Sequence, residues 1–139
     1  MPPQIIVSDE NCAGHCKAIF HALIRSGFKE LLSLELKTIE EVGLYEGVDD
    51  ETVWRFCQEY RYILVTGNRS MADGTDSLEA VVRELVEPTS IPVLTISDLD
   101  RVLTDRSYCE SCAYILADYV MRLEDILGVT RLYLSPRET

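Results

Sequence analysis

Gln4-Ile5-Ile6-Val7-Ser8, followed at once by Asp9-Glu10-Asn11, decides the fold. A short apolar run rich in β-branched residues, with no polar alternation, is the pattern of a strand buried on both faces. Three polar residues then end it at a loop. Beyond them Cys16, Ile19, Phe20, Leu23 and Ile24 fall at helical spacing as far as Ser26-Gly27, a helix C-terminus. A buried strand, a polar loop and a helix in this order form the first unit of a parallel α/β domain.

Working outward, the same alternation recurs. From Phe28 to Leu44 the reading stays open: Leu32, Leu34 and Leu36 alternate as in a strand, while Ile39 to Gly43 fits a turn or a short helix. Asp49 or Asp50 caps a helix carrying Val53, Trp54, Phe56, Cys57 and Tyr60, and Tyr62 to Thr66 is a second clear strand. The polar stretch from Gly67 to Thr75 leads to a helix capped by Asp76 or Ser77 and running to about Leu85, before Pro88. Ile91 to Ile96 is a strand, Ser97 or Asp98 caps a short helix through Leu103, and Ser107 opens a longer helix to about Leu127. Gly128 stops it, and Arg131 to Leu134 is a last strand. Together these elements predict a three-layer α/β/α sandwich with a mostly parallel central sheet and right-handed crossovers, built as one domain over residues 1–139.

The bulk properties agree with one folded domain. Its 139 residues bury one good core, and 47% apolar with 27% charged residues is ordinary globular usage. No apolar run reaches the roughly 18 residues of a membrane span, and no basic-then-apolar leader opens the chain, so a cytoplasmic protein is expected. The net charge of −11 excludes a broad electrostatic grip on nucleic acid, which needs clustered Lys and Arg. Any nucleic acid must be held locally.

In doubly wound sheets ligands bind beyond the C-terminal strand ends. Three loops rich in oxygen donors fall there: Asp9-Glu10-Asn11, Asp49-Asp50-Glu51, and Asn68 with Asp73 and Asp76. Carboxylates so placed suit Mg2+ or Mn2+, hard cations that prefer oxygen ligands and keep several waters. Capping helices is the plainer role for any one of these acids. Arg69 can hold a phosphate bidentately.

These residues also carry a resemblance. Ile6-Val7-Ser8-Asp9-Glu10-Asn11 resembles the Asp-Glu-Asn opening of the PIN-like nuclease superfamily, as in small bacterial PIN-like proteins of unknown function. Gly47-Val48-Asp49-Asp50-Glu51 is similar to the family's Gly-x-x-Asp-Glu step, and Ile63 to Asn68 to its strand ending in Thr-x-Asp. The matches run in order over about the first 100 residues. The resemblance implies Asp9 and Asp50 as metal-binding catalytic acids, with Asn68 where a third acid stands in the family. That departure leaves Asp76, or Asp73, to supply the missing carboxylate; the site set is then Asp9, Asp50 and Asp76, with Asn11, Asn68, Arg69 and Ser77 toward substrate.

The implied function is a Mg2+- or Mn2+-dependent phosphodiesterase acting on single-stranded RNA or another nucleic acid. A toxin-type nuclease would also need an antitoxin-like protein partner. The alternative is a PIN-like fold that has lost catalysis and serves as a binding or assembly module. The helix from Ser107 carries Tyr108, Cys112, Ile115, Leu116, Tyr119, Val120, Leu123 and Ile126, a stripe wide enough to predict a two-fold homodimer.

Five cysteines without a secreted-protein framework read as reduced thiols. Cys12-x-x-x-Cys16 and Cys109-x-x-Cys112 could bind zinc, but burial as small hydrophobes is favoured. His21 reads as a helix-surface residue. No nucleophile elbow, P-loop or Gly-x-Gly-x-x-Gly follows any strand, so acyl transfer and nucleotide hydrolysis lack support.

Overall fold

The computed structural model describes residues 3–67 and 77–136. Its elements are β1 (Gln4–Ser8), α1 (Ala13–Arg25), α2 (Phe28–Leu31), β2 (Leu34–Thr38), α3 (Asp50–Tyr60), β3 (Ile63–Gly67), α4 (Ser77–Leu85), β4 (Val93–Ile96), α5 (Leu99–Thr104), α6 (Arg106–Met121) and β5 (Arg131–Tyr133). All strand pairs are parallel, in the order β2-β1-β3-β4-β5. The architecture is the expected three-layer α/β/α sandwich.

Each face of the sheet has its own core. Ile6, Ile19, Leu23, Leu94, Ile96 and Leu116 pack under α1, α5 and α6, and Val7, Val53, Trp54, Leu64, Val82 and Val93 pack under α3 and α4. Consecutive strand residues Ile6 and Val7 thus feed opposite layers, which is why the run shows no polar alternation. All five residues of β3 are buried. Ion pairs among the described residues are exposed i,i+4 helix pairs, such as Glu51 with Arg55 and Asp118 with Arg122. Each is screened by solvent and contributes little, so apolar burial holds the fold.

Three differences from the sequence reading have physical causes. The open stretch after Gly27 resolves into α2 and then β2, with Ser33 at φ 52° making the tight reversal between them. The last long helix begins one residue early, because the Asp105 carboxylate accepts from the Tyr108 N–H and caps it. It ends at Met121, where the chain tightens into a 3-10 turn over Leu123–Asp125 that brings Leu123 and Leu127 onto the core. Apolar periodicity continues across that break and conceals it. Much of the wide stripe is spent inside the chain: Tyr108, Cys112 and Leu116 are buried, while Tyr114 and Met121 remain exposed.

The third difference is handedness. β1 to β2 crosses over the α1 face and steps one way; β2 to β3 and β3 to β4 cross the other face and step back. These three crossovers share one hand. β4 to β5 steps onward but carries α5 and α6 over the α1 face, so its hand is opposite, against the strong general rule. α1 alone leaves that face of β3 and β4 uncovered, and the long link from 97 to 130 has length enough to reach it.

Gly128 closes the link. It sits at φ 88°, donates to the Ser90 carbonyl at 2.8 Å, and an added Cβ would lie 3.2 Å from the Pro88 carbonyl oxygen. Gly128→Ala combines left-handed strain with a backbone clash and is expected to cost about 1–3 kcal/mol. A thermal melt within a degree of the parent would contradict this.

Candidate functional site

The strand order reverses direction between β1 and β3. β1 sends its crossover to β2 on one side and β3 sends its own to β4 on the other, leaving a crevice above their C-terminal ends. Ser8 ends β1, and Asp9-Glu10-Asn11 lies in that crevice. The Asp9 N–H donates to the Val65 carbonyl at 2.9 Å, which fixes the loop to β3. Asp9 Oδ1 accepts from the Glu10 N–H at 2.8 Å and caps the 3-10 turn Glu10–Cys12.

Two further bonds gather the neighbouring loops. Glu10 Oε1 accepts from the Gly47 N–H at 2.9 Å, drawing in the segment that leads to Asp49 and Asp50. Gly47 can offer that N–H at φ 82°, a conformation costly for other residues. Asn11 Oδ1 accepts from the Gly67 N–H at 3.4 Å, tying the same loop to the end of β3. Asp9 also raises the thiol pKa of both Cys16, in α1, and Cys57, in α3, though it is a minor cause beside hydrogen bonding and burial at Cys16 and beside burial at Cys57.

Asp49, not Asp50, is the cap of α3: its Oδ1 accepts from the Thr52 N–H at 2.7 Å. Asp50 is the first residue of α3 and lines an open depression of about 400 Å3 with Asp49, Glu51, Thr52 and Val81. Asp9 does not line that depression. Asn68, Arg69, Asp73 and Asp76 lie outside the described residues, and of Ser77 only its place at the start of α4 is described.

The donor chemistry present suits a hard cation, since Asp9 and Asp50 offer carboxylate oxygens. Among the described residues, no three His, Cys, Asp or Glu side chains converge closely enough to hold a metal ion. Two carboxylates with substrate phosphate suffice for Mg2+. Asp9 and Asp50 are carboxylates of this kind, and the bond from the Gly47 N–H to Glu10 ties the Asp9 loop to the segment that leads to Asp50.

The cysteines are free and buried. Cys12 Sγ lies 3.7 Å from Cys16 Sγ and 3.5 Å from the Val65 carbonyl oxygen. Burial pushes the Cys57 thiol up to about 12 and the Cys112 thiol up to about 11, so neither is a thiolate nucleophile near neutrality. His21 is exposed on α1. No helix among the described residues is long and apolar enough to cross a membrane.

Sequence reasoning missed Ser8, Glu40 and Glu46, which with Glu10, Ala13, Thr38 and Ile39 line a second cavity of about 260 Å3 at the ends of β1 and β2. Ser8 looks like an ordinary last residue of a strand. Only the register that sets Ser8 opposite Thr38 brings these groups together.

Several caps carry a pH signature. Hydrogen bonds from Thr52 to Asp49, ion pairing of Arg101 with Asp105, and backbone bonding of Thr38 to Glu41 hold these carboxyls below their usual range. A folded pKa below the unfolded one stabilises above the unfolded value, near pH 4, and that contribution is lost as pH falls through the folded value. The urea midpoint, followed by Trp54 fluorescence, is expected to hold steady from about pH 7 to 5 and fall below about 4. An unchanged midpoint at about pH 3 would refute this.

Compared with known proteins, the chain matches no family model, no curated protein and no solved structure.

Proposed function

We propose that the chain is a metal-dependent phosphodiesterase of the PIN-like type, acting on single-stranded RNA or a related nucleic acid. The observation that carries this reading is the pair of hydrogen bonds accepted by Glu10 and Asn11, which gathers the Asp9 loop, the Asp50 segment and the end of β3 at the switch point. Asp9 and Asp50 supply the negative charge that holds Mg2+ or Mn2+. The bound ion lowers the pKa of its water and steadies charge on the phosphodiester. Asn11 is fixed through Oδ1, which leaves its amide N–H groups as donors toward a phosphate oxygen.

The test is cleavage of end-labelled single-stranded RNA with Mn2+. Cleavage is expected to stop on adding EDTA and to return with excess Mn2+; cleavage that persists in EDTA would contradict a metal-dependent site. The second reading, a module without catalysis, is favoured by the amide at position 68 and by a charge of −11. Arg55, Arg83, Arg101, Arg106 and Arg122 are each engaged by a carboxylate one helical turn away, which further reduces the charge available to phosphate.

A further inference from the structure

Four large apolar side chains that the fold leaves exposed form one strip. Leu31 is 71% exposed, and Tyr60, Tyr114 and Met121 are each more than half exposed. Leu31, Tyr60 and Met121 line a single open groove of about 770 Å3 at the N-terminal ends of β1 and β3, together with the half-buried Leu32 and Val120. Tyr114 joins the strip through Phe28, whose ring meets it edge-on at 5.9 Å, and it stands two turns before Met121 on the same face of α6.

Single apolar residues at a surface need no explanation, but a contiguous set around a groove marks a contact. At about 150–250 Å2 for a large side chain, these four expose on the order of 450 Å2, over half of the about 800 Å2 that each partner gives to a standard interface. Tyrosine and methionine are also residues that interfaces favour.

Charge selects the partner. With a net charge of −11, two copies repel each other over most of their surface. The layer that carries the strip is the exception: α1, α2, α5 and α6 hold five cationic and four acidic side chains, against two and five on α3 and α4. Lys29 and Glu30, beside Leu31, are both exposed and make no ion pair among the described residues. A two-fold contact sets a patch against its own copy, so a face with both signs and no large excess of either can close on itself. Knob and hollow are both present, since Leu31 stands out at the edge of the groove that it lines.

We propose that this groove is the interface of a two-fold homodimer, in which Leu31 and Met121 of each copy pack into the groove of the other. This moves the dimer expected from the α6 stripe onto other residues, because Tyr108, Cys112 and Leu116 are buried within the chain itself. The Asp9 loop lies at the far end of the five-residue β1, about 16 Å away, so the contact leaves both crevices open and does not depend on the metal site.

Sedimentation equilibrium of the full chain tests it. A two-chain mass is expected at about 20 µM. Leu31→Lys/Met121→Lys, at two exposed positions, is expected to weaken association at least about tenfold with an unchanged circular dichroism spectrum. Both lysines lower the net negative charge, so that loss reports the missing apolar contact and not a larger overall repulsion. Tyr45→Lys, at an exposed apolar residue outside the strip, is expected to associate like the parent. A one-chain mass at all concentrations up to about 100 µM overturns the proposal and leaves the groove to a partner of different chemistry. It is equally overturned if the double variant associates like the parent, if Tyr45→Lys weakens association as much, or if assemblies grow past two chains.

Discussion

Asp9→Asn is expected to lower Mn2+-dependent RNA cleavage by about a hundredfold or more while leaving the melting temperature unchanged. The two halves of this expectation have different causes. Asp9 Oδ1 caps the 3-10 turn by accepting from the Glu10 N–H, and an Asn carbonyl oxygen accepts the same bond. The Asp9 N–H bond to Val65 is main chain and survives as well. The substitution removes the negative charge and keeps both of these bonds. Cleavage within about threefold of the parent would remove Asp9 from the catalytic set. A fall in melting temperature alongside lost activity would make its role structural.

Leu23→Ala is expected to be the most destabilising single truncation considered. Leu23 is 0% exposed and lies on the face of α1 that packs against the sheet and α6. Removing its branched end leaves a void among rigid neighbours, including Ile6, Ile19 and Leu116, and costs about 2–5 kcal/mol. For a chain of this size that lowers the melting temperature by about 10 °C or more. A loss under about 1 kcal/mol would mean that α1 is not seated as described.

The fold was readable where local chemistry and tertiary structure agree. β1 was bounded by the shift from Ile6-Val7 to Asp9-Glu10, and α3 by its Asp cap, because burial on two faces and capping each leave a one-dimensional trace. α2 left little trace, being a four-residue helix stabilised by its place between Gly27 and Ser33. The hand of the last crossover left none, since which face needs covering is a property of the assembled sheet. The same division applies to the candidate site. The acidic loops that hold Asp9 and Asp50 are readable at strand and helix ends, and the resemblance singles out those two acids, but the bonds from the Gly47 N–H to Glu10 and from the Gly67 N–H to Asn11 join residues 37 and 56 positions apart. The Ser8 cavity depends on the pairing of β1 with β2, in the stretch whose reading stayed open.

Calorimetric titration with Mn2+ tests the central claim most directly, because it needs no knowledge of the substrate. The parent chain is expected to bind Mn2+ with one-to-one stoichiometry, and Asp9→Asn and Asp50→Asn are each expected to weaken it by about tenfold or more at an unchanged melting temperature. No specific Mn2+ binding by the parent, or binding that both variants retain in full, would contradict the assignment of Asp9 and Asp50 as a metal-dependent site.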